Sequence, residues 1–511
     1  MEDRRTGTDR RVQQRQGQAR RPDRRTAPQP ASTLELIPWR AVVPMVALAL
    51  LSGFSWRYSQ GATIDAESLP AIEYRSDLET PILSARRVPE TLQRPLADEA
   101  LVPEIEKILG PSGQATCLVV SEDDRVLNST NAFLSLVPAS NQKLLTTYAA
   151  LSQYGPEHTF ETRVGASSPV QNGLIDGDLY LIGGGDPFLT TQDWRSQYGD
   201  DQEGRYFSSL EELADAVVNA GVREVSGGVV GDESLFDGER YGPWAERLIV
   251  SNQSGPLSSL AVNEGFADWP AEFAGSFRGR TASVDPAGNA AQVFLSLLDE
   301  RGITVQGGTD VSPAPTQAAV IATLTSPPLE DVVTHINSYS NNYGAEMLTK
   351  YLGRDERGIG SIAAGAAEIR SILELQRFDL SGVNIVDGSG LSESNRLTCG
   401  LVAELLGRAG ADSVLVQSLS IGGERGSLAI KHDGTVADGR LFGKSGTLNG
   451  VTALSGVVES AREDDVELVF TYIVNGESVG LNEELKDLQV PFVDALASYP
   501  NAPLISALSP K

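Results

Sequence analysis

Ser140 and Lys143 stand three residues apart at the start of a predicted helix, whose apolar face includes Leu144 and Leu151. Side chains at positions i and i+3 share one face of a helix, so the Lys143 amine can reach the Ser140 hydroxyl. A helix N-terminus stabilises negative charge, and burial lowers the pKa of a lysine until it can act as a base. The pair is therefore a candidate nucleophile and base. Of the seven Lys residues, only Lys143 has Ser three positions earlier.

Two further polar motifs follow in the last third of the chain. Residues 340–342, Ser-Asn-Asn, directly precede a helical pattern, where such residues are first of all helix caps. Residues 444–447, Lys-Ser-Gly-Thr, lie in a predicted strand that leads to an Asn-Gly hairpin turn at 449–450. The simpler interpretation of this strand is a polar sheet edge protected by lysine. The functional interpretation is an edge that pairs with an extended substrate, whose carboxylate the Lys, Ser and Thr bind.

Strand patterns near both ends of the chain predict one sheet that positions these motifs. A hairpin is predicted over 115–127, and three later strands include the pair joined by the 449–450 turn and a strand at 466–474. The middle of the chain, 161–324, is rich in turns and short apolar runs, with helix-like stretches at 209–220 and 288–301. We therefore expect an antiparallel sheet closed by both ends of the chain, with the middle as an insertion.

In this order, the three motifs resemble the Ser-x-x-Lys, Ser-x-Asn and Lys-(Thr/Ser)-Gly signature of penicillin-binding proteins and serine β-lactamases. The 200 residues between the first and second motifs resemble the class C low-molecular-mass penicillin-binding proteins, the D-alanyl-D-alanine carboxypeptidase/endopeptidase family. Stretches at 183–189, 227–232, 256–263 and 386–392 also look like this family. The resemblance covers roughly 98–500.

The resemblance implies an α+β fold: a penicillin-binding, serine β-lactamase-like transpeptidase domain whose antiparallel sheet is flanked by helices. Residues 98–160 and 325–505 would form this catalytic domain, and the strand-rich 161–324 would be inserted between the first and second motifs. The implied activity is that of an exported serine carboxypeptidase that trims peptidoglycan stem peptides ending in D-Ala-D-Ala and is inhibited by β-lactams. The resemblance implies no metal and no organic cofactor.

The resemblance also implies a role for each motif residue. Ser140 would form the acyl-enzyme, Lys143 would be the general base, and Ser340 would relay a proton to the leaving D-alanine. Backbone N–H groups of Ser140 and Thr447 would form the oxyanion hole. The substrate-binding residues would be Asn342, Lys444, Ser445, Gly446 and Thr447. Ser445 stands where the family usually has Thr, which keeps the hydroxyl.

Two questions about the function stay open at this point. The balance between carboxypeptidase and endopeptidase activity depends on how the insertion shapes the cleft. A catalytically weak scaffold that binds cell-wall peptides and a β-lactamase-like hydrolase are the alternative functions.

The Gly-Ser-Gly run at 388–390 lacks the G-x-S-x-G frame of a nucleophile turn, so we interpret it as a structural loop.

Composition excludes other classes. The net charge of −27 repels polyphosphate, so no nucleic-acid partner is expected. The two Cys and three His have no metal-ligand spacing, so no zinc site is expected. Cys117 and Cys399 either pair in a disulfide or stay as two core thiols, and the sequence does not decide between these states.

The N-terminus is typical of a targeting segment. Residues 1–40 hold ten Arg and five acidic residues and are predicted to be a disordered cytoplasmic tail. Residues 41–56 are uncharged and span about 24 Å as a helix, against about 30 Å of bilayer hydrocarbon. They are either a signal anchor, which Trp39 and Trp56 would flank at the interfaces, or the core of a cleaved signal peptide. Residues 57–97 are predicted to be a linker. The residues after about 57 are expected to be exported.

Overall fold

The computed structural model describes residues 39–60, 84–109, 115–199, 203–271, 279–354, 357–463, 466–477, 479 and 487–509. The chain divides into two compact units, Met1–Leu78 and Glu79–Lys511. The first unit contains the helix α1, Trp39–Gln60, which includes the predicted membrane segment 41–56. Residues 1–38 of the predicted tail lie outside the described residues. Within the described parts of the chain, no helix has both the length and the hydropathy needed to cross a bilayer.

The second unit holds the remaining helices. The α-helices that follow α1 are α2 Glu90–Leu109, α3 Gln142–Tyr154, α4 Gln192–Ser196, α5 Leu210–Asn219, α6 Glu246–Val250, α7 Pro286–Glu300, α8 Leu329–Ser338, α9 Asn342–Leu352, α10 Ile362–Leu375, α11 Cys399–Ala409, α12 Val414–Gln417, α13 Ala429–His432, Gln489–Ala497 and Ile505–Leu508. Short 3-10 helices lie at Ala85–Arg87, Ala139–Asn141, Asn263–Gly265 and Gly426–Leu428.

The strands are β1 Ala115–Glu122, β2 Arg125–Thr130, β3 Glu161–Ala166, β4 Leu174–Ile175, β5 Leu179–Ile182, β6 Leu189–Thr190, β7 Ser208–Ser209, β8 Glu224–Val225, β9 Val229–Asp232, β10 Phe266–Asp268, β11 Thr281–Ala282, β12 Thr304–Val305, β13 Thr309–Val311, β14 Ala319–Thr325, β15 Ser420–Ile421, β16 Leu441–Leu448, β17 Val451–Glu459 and β18 Glu467–Asn475.

A six-stranded antiparallel sheet joins the two ends of the chain, in the order β15-β16-β17-β18-β1-β2. The late strand β18 pairs with the early strand β1 from Ala115 opposite Asn475 to Ser121 opposite Val469. The predicted 449–450 turn connects β16 and β17, and Gly450 takes a φ of 78° there. This arrangement confirms the predicted closure of the sheet by both chain ends.

Helices cover both faces of this sheet because its strands are apolar on both faces. Val119 packs with Ala403 of α11 on one face, and Val120, one residue later, packs with Leu101 of α2 and Phe492 on the other. The predicted sheet flanked by helices is therefore confirmed. A disulfide between Cys117 of β1 and Cys399, the first residue of α11, ties the helix to the sheet.

Helix α2 begins at Glu90, inside the stretch 57–97 that we predicted to be a linker. Ala97, Leu101 and Ile105 recur every four residues and are buried against the sheet. The free energy of burying this apolar face favours a helix over an extended linker. Of the predicted linker, 61–83 lie outside the described residues.

The middle of the chain forms a separate five-stranded sheet, in the order β13-β9-β5-β3-β14. Its hydrophobic core includes Leu213 of α5 and Phe294 of α7, two helices that the sequence predicted at 209–220 and 288–301. The first and last strands of this segment, β3 and β14, are antiparallel neighbours. The chain therefore leaves and re-enters the main body at adjacent points, whereas the exact domain limits stay a prediction.

Candidate active site

Ser140 lies in a short 3-10 turn directly before helix α3, where Ala139 has a φ of 48°. The turn is fixed to the sheet because Asn141 Nδ2 donates to Ser455 Oγ of β17 at 2.7 Å. Ser140 is half-buried, and Lys143 Nζ lies 3.1 Å from its Oγ atom. The spacing in sequence thus produces the predicted contact between hydroxyl and amine.

Lys143 is fully buried and has three oxygen acceptors around its amine. Besides Ser140 Oγ, Nζ donates to Asn342 Oδ1 and to the Ser389 carbonyl, both at 2.7 Å. Burial lowers the pKa of Lys143 to about 7, against the opposing influence of the Glu346 and Asp387 carboxylates. A lysine in this state can accept a proton near neutral pH.

The second motif forms the turn between α8 and α9. Ser340 has a φ of 56°, in the left-handed region, and is half-buried. Asn341 caps α9, because its Oδ1 accepts from Gly344 N at 2.7 Å. Asn342 accepts from Lys143 through Oδ1 and donates from Nδ2 to the Gln253 carbonyl at 2.7 Å. The cap predicted from sequence and the contact with the first motif are thus both present in one turn.

The third motif lies on β16, beside the nucleophile turn. Lys444 is fully buried, and its Nζ donates to the Ser445 carbonyl at 3.0 Å. Burial, and then the positive charge of Lys143, hold the pKa of Lys444 well below its ordinary value. The Ser445 hydroxyl lies 3.2 Å from Ser427 Oγ, and Thr447 is exposed.

Gly446 lets β16 approach the nucleophile. A Cβ atom at this position would lie 3.1 Å from the Ser140 backbone N and 3.0 Å from the Pro138 carbonyl, closer than ordinary carbon contacts. Gly446 thus lets the first and third motifs lie close together without crowding. The sequence predicted a close approach at Gly446 only toward a substrate.

Two buried carboxylates behind Lys143 were not singled out from the sequence. Glu346 accepts from Ser389 N at 2.8 Å, and the carbonyl of the same serine accepts from Lys143 Nζ. Asp387 accepts from Trp244 Nε1 at 3.0 Å and from Asn395 Nδ2 at 2.6 Å. Burial raises the pKa of both carboxyls, that of Glu346 to about 8.

The loop at 387–390 therefore has more than the structural role that we predicted, because the Ser389 carbonyl contacts the Lys143 amine directly. The sequence signals for it were the Asp-Gly-Ser-Gly run and the resemblance of 386–392 to the family. Among the described residues, no group of three or more His, Cys, Asp or Glu side chains could hold a metal ion.

The sequence matches the D-Ala-D-Ala carboxypeptidase 3 (S13) family over residues 106–273 and 271–499. The protein belongs to this family, which makes it a class C low-molecular-mass penicillin-binding protein and a serine-type D-Ala-D-Ala carboxypeptidase, as the motifs predicted.

Individual relatives agree with this family. The chain is 31% identical over 418 residues to a D-alanyl-D-alanine carboxypeptidase of Actinomadura sp. (strain R39), a match that covers 67% of this chain and 74% of that protein. It is 24% identical over 434 residues to the D-alanyl-D-alanine carboxypeptidase DacB of Haemophilus influenzae, covering 72% and 86%. The crystal structure of penicillin binding protein 4 (dacB) from Haemophilus influenzae matches with a TM-score of 0.63 and 21% identity, over 77% of this chain and 98% of that chain. This structure shows that the fold is shared.

Proposed function

We propose that the protein removes the terminal D-alanine of peptidoglycan stem peptides through an acyl-enzyme on Ser140. The observation that carries this proposal is the 3.1 Å contact between Ser140 Oγ and the buried Lys143 amine, whose pKa of about 7 suits a general base. Ser140 Oγ attacks the carbonyl of the D-Ala-D-Ala bond while its proton passes to Lys143 Nζ. Ser340 relays a proton to the nitrogen of the departing D-alanine. Water then hydrolyses the ester and frees Ser140.

Substrate binding in this proposal uses the strand β16 and the second motif. Lys444, Ser445 and Thr447 bind the terminal carboxylate, and Gly446 lets the substrate approach the strand closely. Asn342 contributes the remaining lone pair of Oδ1 to a substrate N–H. The backbone N–H groups of Ser140 and Thr447 form the oxyanion hole, where the loss of one donor typically costs about a hundred- to a thousandfold in rate. The same groups bind the carbonyl and the carboxylate of a β-lactam.

The test is intact-mass spectrometry of the protein during incubation with benzylpenicillin. We expect one adduct, which peptide mapping assigns to Ser140 and which Ser140→Ala abolishes. Ser152→Ala, on the exposed end of the same helix, is the matched control and should label normally. Labelling of folded Ser140→Ala protein would refute the assignment of the nucleophile. Release of D-alanine from a pentapeptide, compared with cleavage of a cross-linked dimer, then separates carboxypeptidase from endopeptidase activity.

We further propose that the protein acts outside the cytoplasmic membrane and that residues 41–56 anchor it there. The ten Arg residues before this segment favour a cytoplasmic N-terminus, and the Cys117–Cys399 disulfide suits an oxidising compartment. A bilayer accommodates a short apolar segment by local thinning. If the segment is an anchor, the mature protein has the mass of the full chain and stays with membranes after carbonate washing. A mature N-terminus beyond residue 56 would show that the segment is cleaved.

A further inference from the structure

The inserted middle segment of the chain holds the second motif through two hydrogen bonds. Glu264 Oε1 accepts from Asn341 Nδ2 at 2.8 Å, and the Gln253 carbonyl accepts from Asn342 Nδ2 at 2.7 Å. Both acceptors lie within 161–324, far in sequence from the catalytic motifs that they touch. In both Asn341 and Asn342, the side-chain Nδ2 therefore donates to the insertion, whereas Oδ1 accepts from the main body.

Glu264 reaches Asn341 from an unusual backbone turn. Asn263, Glu264 and Gly265 have φ angles of 58°, 54° and 78°, so two residues with side chains adopt the left-handed region in succession. Such conformations are unfavourable for residues with side chains and persist where the surrounding contacts impose them. Here the Glu264 carbonyl packs so closely on Gly255 that a Cβ atom there would lie 1.8 Å from it. Close packing thus joins the backbone of the turn to the stretch that carries Gln253.

The Glu264 carboxylate is buried together with a cation. Arg280 lies 4.0 Å from Glu264 Oε2, and its guanidinium is stacked 4.6 Å from the centre of the Trp194 ring. Glu264 itself is only 4% exposed. The Arg280 charge near one carboxylate oxygen and the Asn341 amide on the other restrict the orientation of this buried carboxylate. It can therefore hold Asn341 in one rotamer.

We infer that Glu264 is a positioning residue for the reaction: through Asn341, it holds the turn that carries Ser340 and Asn342 in its catalytic geometry. Ser340 lies in a left-handed conformation directly before Asn341, and Asn342 directly after it accepts from Lys143. A shift of Asn341 therefore moves both neighbours relative to the Lys143 amine. Glu264 needs no contact with the substrate for this role. The inference rests on the proposed function, because it assigns the insertion a part in the chemistry at Ser140.

The test measures the first-order rate constant of acylation at saturating benzylpenicillin, with the melting temperature and the final labelled fraction. We expect Glu264→Ala to slow acylation about ten- to a hundredfold, since the hydrogen bond that fixes the Asn341 amide is lost and its donor is left without this acceptor. Glu264→Gln keeps an oxygen that accepts from Asn341 and should restore most of the rate. Glu211→Ala is the matched control, because this carboxylate joins Gln192 and Ser209 within the insertion and should leave the rate unchanged.

A second variant keeps the inference testable if Glu264→Ala does not fold. Asn341→Ser retains a hydroxyl that can cap α9 but loses the amide donor to Glu264, and it should slow acylation to a similar extent. In this background, Glu264→Ala or Glu264→Gln should add little further loss. Wild-type rates in folded Glu264→Ala or in Asn341→Ser would overturn the inference. A variant with an unchanged acylation rate constant but a smaller final labelled fraction would also overturn the inference, because the substitution would then affect only the stability of the protein. If the unmodified protein forms no adduct, the proposed function itself fails.

Discussion

Acylation of Ser140 should depend on pH through the protonation of Lys143. Burial disfavours the ammonium form and lowers the pKa of Lys143 from 10.5 to about 7. About half of the side chain is then neutral at pH 7, about one tenth at pH 6 and about one hundredth at pH 5. Because only the neutral amine accepts the Ser140 proton, the acylation rate should rise about ninetyfold from pH 5 to pH 8 and then level off. A lysine of ordinary pKa would give a rate that still rises tenfold per pH unit at pH 9.

The assay is the second-order rate constant for benzylpenicillin acylation, followed by quenched intact-mass spectrometry, with circular dichroism at each pH to confirm the fold. Lys143→Arg keeps a cation that donates hydrogen bonds but cannot act as a base, so we expect a loss of about a hundred- to ten-thousandfold. Lys107→Arg, on the exposed side of α2, is the matched control. A flat profile from pH 5 to pH 9 in folded protein would refute the role of Lys143. An unchanged profile in Lys143→Arg would refute it equally.

Three further predictions concern the surroundings of this pair. Gly446→Ala should slow acylation about tenfold or more in the same mass assay, because the new methyl group meets the Ser140 backbone at 3.1 Å and overpacking typically costs about 1–3 kcal/mol; wild-type rates would contradict this. Replacing both Cys117 and Cys399 by Ser should lower the free energy of unfolding by about 2–5 kcal/mol in urea titrations while acylation below the transition persists. Replacing both Glu346 by Gln and Asp387 by Asn removes two carboxyl groups whose charged forms raise the pKa of Lys143, so the midpoint of the acylation profile should fall below pH 7. An unmoved midpoint in folded protein would show that these carboxylates do not set the pKa of Lys143.

The parts of the fold and site that local sequence patterns encode could be predicted. The position of Ser140 three residues before Lys143 required only a helix start, and α3 begins at Gln142. The Asn-Gly dipeptide at 449–450 predicted the hairpin of β16 and β17, and the strand patterns at both chain ends predicted the closed sheet. The spacing within each motif, the order of the three motifs and the 200 residues between the first two then identified the family.

The remaining features depend on contacts between distant parts of the chain. Glu346 looked like one residue of an amphipathic helix, and only the fold brings the Ser389 N–H to it. The pairing of Cys117 with Cys399 spans 282 residues, and no local pattern bears on it. The helical start of α2 at Glu90 was missed because its stabilisation comes from burial against the sheet, which a polar local composition conceals.

The two buried lysines of the site connect substrate binding to activation of the base. Glu346 and Asp387 partly offset the effect of burial on Lys143, whereas for Lys444 both burial and the neighbouring Lys143 charge lower the pKa. In the proposed function, a terminal carboxylate enters beside Lys444 and brings the opposite charge, so Lys444 takes up a proton as the substrate binds. The resulting ammonium lies close enough to Lys143 for each charge to disfavour the other. Lys143 is therefore driven toward its neutral, proton-accepting form when a carboxylate-bearing substrate occupies the site. In the proposed function, the second buried lysine therefore contributes to activation of the base as well as to substrate binding.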